Sequence, residues 1–173
     1  PPSEEKPGRY RGRGETNKGR VAEMNEGGAD MTEGSVLLVD DEVEFTRALS
    51  QRMESRGLGV DTAASGSQAL EKAKDRSYDA IVLDMRMPGM DGIETLKRLL
   101  EQNPDLQVIL LTAYGTVQKG VEAMKLGAMD FLEKPAQLQV LLEKIQQARA
   151  NKMLLVEKRM EDRIRGILDT KSW

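Results

Sequence analysis

The sequence predicts an α/β domain built on a five-stranded parallel sheet, and three observations carry that expectation. Short apolar runs alternate with segments of helical period from Ser35 to about residue 150, as successive strand–helix units of a parallel sheet do. Two of the runs, Val36-Leu37-Leu38-Val39 and Ala80-Ile81-Val82-Leu83, stop abruptly at acids, Asp40-Asp41 and Asp84. After Asp84 come Pro88, Gly89 and Gly92, which break regular structure. Open α/β sheets place their ligand sites at the carboxyl ends of strands. Two neighbouring strands therefore bring three carboxylates into one crevice. Crowded carboxylates resist ionising unless a cation joins them. An all-oxygen donor set suits Mg²⁺, with Mn²⁺ as the alternative.

Each element follows from local pattern. The first strand is Val36 to Val39. A helix from about Val43 to Arg56 then buries Phe45, Ala48, Leu49 and Met53, and Gly57 stops it. Leu58 to Ala63 is the second strand. Ser65 with Gln68 reads as a capping box for a helix over residues 66–75. The third strand leads to Asp84. Asp91 with Glu94 marks the next helix, which ends near Asn103-Pro104. Leu106 to Leu111 forms the fourth strand and runs into Thr112-Ala113. Thr116 to Leu126 is helical, with Gly127 behind it. Met129 to Leu132 is the fifth strand, running into Glu133-Lys134-Pro135, and a last helix starts after Pro135. Right-handed crossovers put helices on both faces of the sheet.

That last helix is longer than the sheet requires. Leu138, Leu142, Ile145, Met153, Val156, Met160, Ile164 and Ile167 form one stripe at spacing three or four, interrupted at Arg149, and no Gly or Pro intervenes before Gly166. The second half, with Met153, Val156, Met160, Ile164 and Ile167, has no core of its own to cover and is expected to pair with a partner helix, most simply a second copy. Docking back on the same chain is the rival. The organisation expected is a disordered polar tail over 1–33, one domain over 34–150 and a helical extension over 151–173.

Composition narrows the function classes. The 173 residues include no Cys and no His, and the net charge is −3. Disulfides and Zn²⁺ sites of the Cys/His type are excluded, and direct nucleic-acid binding is not expected. No apolar run approaches the ~20 residues of a membrane span. The N-terminus has no apolar signal core, so a cytoplasmic location is expected. In the tail, Arg9, Arg11 and Arg13 alternate with Tyr10, Gly12 and Gly14; surrounded by acids, they read as a solvated segment rather than a binding patch. The chain begins at Pro1, which reads as initiator removal or a fragment, and Met31 reads as an alternative start.

Asp40-Asp41, Asp84 with Met87-Pro88-Gly89-Met90-Asp91-Gly92, Thr112-Ala113 and Lys134-Pro135 together resemble the receiver domain of two-component response regulators. The likeness covers about residues 35 to 150. The wording around Leu111-Thr112-Ala113-Tyr114-Gly115 and Asp130 to Pro135 is most like receivers of enhancer-dependent (sigma-54-type) transcription activators. The resemblance implies a flavodoxin-like sheet of order 2-1-3-4-5 and makes Asp84 the phosphoacceptor. It implies Mg²⁺ held by Asp41, Asp84 and the backbone carbonyl of Arg86, with Asp40 helping directly or through water. Lys134 would pair with phosphoryl oxygens, and Thr112 would donate its hydroxyl to one. Arg86 and Tyr114 would tune hydrolysis, and Thr112 and Phe131 would form the switch. Ala136 departs from the bulky aromatic common after Lys-Pro. The implied donor is a sensor histidine kinase or phosphotransfer protein, necessarily another molecule in the absence of His. The implied readout is a protein target on the face of the fourth helix, fifth strand and fifth helix.

Three other readings compete. The chain is a fragment of a longer activator, since neither a Gly-x-x-x-x-Gly-Lys loop nor a helix-turn-helix is recognisable. A Mg²⁺-dependent phosphohydrolase with Asp84 as nucleophile would need a second acid two residues on, where Arg86 stands. A purely structural dimerisation module leaves the acidic pocket unexplained.

Overall fold

A computed structural model describes residues 34–113 and 117–171. Five strands, β1 (Ser35–Val39), β2 (Gly59–Ala63), β3 (Ala80–Asp84), β4 (Val108–Thr112) and β5 (Asp130–Glu133), alternate with five helices, α1 (Val43–Glu54), α2 (Gly66–Asp75), α3 (Gly92–Gln102), α4 (Val117–Leu126) and α5 (Leu138–Thr170). All strand pairs are parallel, in the order β2-β1-β3-β4-β5, as the resemblance implied. The expected tail over 1–33, with Arg9, Arg11 and Arg13, lies outside the described residues, as does Tyr114. No helix of the described residues is long and apolar enough to cross a membrane.

Strand alternation divides the core into two layers. Leu37, Val39, Ile81, Leu83, Val108 and Leu110 face one side and pack with Ala69 of α2, Leu96 and Leu99 of α3 and Ala123 of α4. Val36, Leu38, Ala80, Val82, Ile109 and Leu111 face the other, against Leu49 and Met53 of α1 and Leu141, Ile145 and Ala148 of α5. The central strands β3 and β4 are buried at every residue, which is why they read as unbroken apolar runs. Each such Leu, Ile or Val contributes roughly 1.5–3 kcal/mol by leaving water.

The helix starts follow the expected capping chemistry, with a twist. Ser65 Oγ accepts from the Gln68 amide, but the Gln68 side chain reaches past Ser65 to accept from the Ala64 amide. Asp91 accepts from the Glu94 amide, while the Glu94 carboxylate turns outward to Arg98. β4 begins two residues later than expected. The Asn103 side chain accepts from the Asp105 amide and its carbonyl from Leu106, and that turn uses up residues 103–106.

Two expectations about buried faces are corrected. On α1, Ala48 is exposed and Phe45 half-buried, while Thr46 and Ser50 face the sheet with Leu49 and Met53. Thr46 donates to the Glu42 carbonyl and Ser50 to the Glu54 carboxylate, so both small polar groups enter the core already satisfied. On α5 the single stripe is two lines. Leu138, Leu141, Ile145 and Ala148 face the sheet, and Leu142 is only half-buried. The sheet-facing line continues past residue 150 in polar form. Lys152 donates to Ser77, to the Tyr78 carbonyl and to Asp79; Asn151 meets Gln107, and Arg159 pairs with Asp105. At ~100° per residue, Met153, Met160, Ile164 and Ile167 lie about a quarter-turn away from that line. They are 58%, 63%, 59% and 50% exposed, and Val156 is 42% exposed.

Candidate functional site: an acidic pocket at the strand ends

Strand register assembles the pocket. Val39 lies opposite Leu83, so Asp40 and Asp84 end at one level on adjacent strands, ~4.8 Å apart by sheet geometry. Asp84 lies opposite Leu111, Leu111 opposite Leu132 and Thr112 opposite Glu133, which places Thr112 one step and Lys134 two steps further out. Alternation sends Asp40, Asp84 and Lys134 toward the α1/α5 layer. Thr112 and Phe131 go toward α4. Gly92 lets α3 start against this strand end: a Cβ there would stand 2.5 Å from both the Asp84 carbonyl oxygen and the Met85 Cα.

Carboxylate oxygens of Asp40, Asp41 and Asp84 lie within 4.8 Å of one another. Asp40 and Asp84 are buried and Asp41 is exposed at the mouth. Asp40 uses both oxygens: Oδ1 accepts from the Glu42 amide at 2.9 Å and Oδ2 from the Lys134 ammonium at 2.6 Å. That ammonium stands 3.6 Å from Asp84 Oδ1 and 4.1 Å from the centroid of the Phe45 ring. The peptide bond Lys134–Pro135 is cis.

Burial, and then the charge of Asp40, push the Asp84 carboxyl up to about 6, against the opposing pull of Lys134. Burial also works against the Lys134 charge, but the hydrogen bond and charge of Asp40, with Asp84 and Glu42 behind it, hold the ammonium above its ordinary range. A carboxyl forced upward by burial and then by neighbouring acids is one that a bound cation would relieve. The oxygen-only donors, with no His or Cys, fit a hard divalent ion. The structure thus brings together Asp40, Asp41, Asp84 and Lys134.

Of the other expected site residues, Thr112 is buried beside them at 1% exposure, and Arg86 is exposed at the rim. Phe131 is half-buried on the α4 side, where its ring lies 3.3 Å from the position a Cβ on Gly120 would take. A larger residue at Gly120 would press on the ring by a few tenths of an ångström. The Phe45 contact with Lys134 is the feature the sequence reading missed. Phe45 reads there as a core residue, and nothing local couples positions 89 residues apart. The only signal was that Phe45 and Lys134 flank the same strand-end crevice.

Against known proteins, the model of the response regulator receiver domain matches residues 36–146. The chain is 43% identical over 112 residues, 63% of its length, to the transcriptional regulatory protein ZraR of Escherichia coli O157:H7. It is 42% identical over 125 residues, 72% of its length, to the C4-dicarboxylate transport transcriptional regulatory protein DctD of Pseudomonas aeruginosa. It spans only 25% and 27% of those two proteins. Among solved structures, a CheX–CheY–BeF₃–Mg²⁺ complex from Borrelia burgdorferi matches with a TM-score of 0.62 at 34% identity, over 65% of this chain and 87% of that one.

Proposed function

Since the chain belongs to the response regulator receiver family of two-component systems, we propose that Asp84 is its phosphoacceptor and that Asp40, Asp41 and Asp84 hold Mg²⁺. The observation that carries this reading is the three-carboxylate cluster with a half-buried lysine against it. Asp84 stands at a strand end, facing an open mouth, where a carboxylate oxygen can attack a phosphoryl group in line with its leaving group. A bound divalent ion supplies charge neutralisation for the carboxylates and the incoming phosphoryl oxygens. The Arg86 backbone carbonyl is a further ligand candidate. Lys134 is already in place to pair with a phosphoryl oxygen, and Thr112 supplies a hydroxyl one strand over. Little else is required, because phosphoryl transfer depends mainly on positioning and charge. Self-catalysed phosphorylation and dephosphorylation are then slow.

Phosphorylation draws Thr112 toward Asp84 and frees Phe131 to turn inward from α4, altering the α4–β5–α5 face that a protein target reads. The donor is a histidine kinase or phosphotransfer protein. A role within a longer transcription activator is supported by the names of the two regulators, of which this chain spans about a quarter. The outward line of α5 joins two copies.

Intact-mass spectrometry after incubation with acetyl phosphate tests the acceptor. The expected result is one added phosphoryl group with Mg²⁺, none with chelator, and none in Asp84→Asn under either condition. Equal phosphorylation of the variant would displace Asp84 from its role. Arg86 and Tyr114 are assigned to the lifetime of the phosphorylated state because they stand two residues beyond Asp84 and Thr112, the positions to which the receiver resemblance gives that role. Arg86→Ala and Tyr114→Ala are each expected to change the dephosphorylation rate at least about threefold, with Mg²⁺ affinity nearly constant. Unchanged lifetimes in both would return them to the rim.

A further inference from the structure

The geometry points to Phe45 as a positioning residue for phosphoryl transfer: its ring face keeps the Lys134 ammonium turned into the carboxylate pocket. Phe45 extends from the first turn of α1, on the sheet face that Lys134 reaches from β5. Its ring centroid is 4.1 Å from Lys134 Nζ, inside the range of a cation–π contact. The Lys134 side chain is only 13% exposed, so its ammonium has given up most of its water. An ammonium has three donor directions. Asp40 takes one at 2.6 Å, and Asp84, at 3.6 Å, lies beyond a normal hydrogen bond. The negative face of the ring meets part of what is left.

An aromatic face suits this position better than a third carboxylate would. A hydrogen-bonded acid must release the ammonium before a phosphoryl oxygen can take it, at the cost of a strong charge-assisted bond. The ring attracts the charge without claiming a proton direction, so the ammonium can swing toward Asp84 while keeping the contact. The ring also lines, with Thr46, Val82, Asp84 and Leu111, a cavity of about 10 Å³ beneath the pocket. Without the ring, a lysine with a flexible four-carbon stem has an open route to solvent.

This inference rests on Asp84 being the phosphoacceptor, and the experiment separates the two. The full chain is prepared with Phe45 unmodified, with 3,4,5-trifluorophenylalanine placed at position 45, and as Phe45→Leu. Fluorination keeps ring shape and apolarity but removes the negative face. The initial rate of phosphorylation by acetyl phosphate with Mg²⁺ is read by intact mass, alongside the melting temperature. The expected result is about a threefold slower rate for the fluorinated chain at an unchanged melting temperature, and at least as large a loss for Phe45→Leu. A purely space-filling Phe45 would leave the fluorinated chain as fast as the unmodified one. Equal or faster phosphorylation of that chain overturns the inference alone. No phosphorylation of the unmodified chain overturns the acceptor reading and this inference with it.

Discussion

Asp84→Asn is expected to raise the melting temperature of the metal-free, unphosphorylated protein by roughly 6 °C at neutral pH. The cause is the upward displacement of the Asp84 carboxyl from 3.8 to about 6, first by burial and then by Asp40. Above pH 6 the folded protein holds this carboxylate charged against its preference, whereas the unfolded chain does not. The displacement corresponds to about 3 kcal/mol, or about 2 kcal/mol after allowing for solvent screening at the open mouth. The sign follows from proton linkage. Between about pH 4 and pH 6 the folded state binds the extra proton, so this penalty falls as pH falls and is gone near pH 4. Asp61 acts oppositely: its hydrogen bond from Tyr78, opposed by burial and aided by Arg76, lowers its pKa. Its contribution is lost on acidification, but identically in both proteins, and cancels in their difference. Thermal unfolding of wild type and Asp84→Asn in chelator, from pH 4 to pH 8, is the measurement. The gap should open with rising pH through about 6, and Mg²⁺ should narrow it by stabilising wild type. A gap independent of pH, or a less stable variant, would mean that the Asp84 charge is not a burden on the fold.

The same acid cluster explains why so much of this protein was legible in its sequence. Strand ends carry their polarity within one or two residues of the apolar run, so Asp40, Asp84, Thr112 and Lys134 announce their level on the sheet locally. Parallel register then brings them together without further information. The parts that were not legible depend on direction rather than level. Helical spacing places Leu141, Leu142 and Ala148 within a few residues of one another, but which of them meets the sheet depends on the rotation of α5, set by the β5–α5 connection. The polar continuation of that line, Lys152 and Arg159, leaves no mark in the helical pattern, because its acceptors, Asp79 and Asp105, precede two other strands. Ser50 and Thr46 face the sheet for a related reason: the bonds to Glu54 and Glu42 that satisfy them there form only once the helical turn exists. The Phe45 ring over Lys134 has no local trace at all.

The 173-residue chain is expected to sediment as a concentration-dependent dimer, with a dissociation constant on the order of 10 μM, and a version ending at Ala150 as a monomer. α5 is one helix of 33 residues, about 50 Å long at 1.5 Å per residue. Its early part rests on the sheet, and Asn151, Lys152 and Arg159 tie the next two turns to the entrances of β3 and β4. From Met160 to Lys171 every residue is exposed, and an isolated helical segment of that length is marginal in water. Partner packing is the remaining source of stability, and the surface for it is present. Met153, Val156, Met160, Ile164 and Ile167 make a continuous apolar line, a quarter-turn from the receiver-facing one. Their spacing of three, four, four and three residues averages about 3.5, the heptad period, and so suits a left-handed helix pair. Leu168, 62% exposed, widens the line at its far end. The polar ties at the base matter here, because they hold the line clear of the receiver. Lys152 spends its charge on Ser77, Tyr78 and Asp79, so the helix is not free to roll Met160 and Ile164 onto its own domain. The mutational control is Met160→Glu with Ile164→Glu, which should abolish dimerisation while leaving phosphorylation at Asp84 intact. A monomer at every concentration tested for the unmodified chain would exclude the dimer, whatever its helix content.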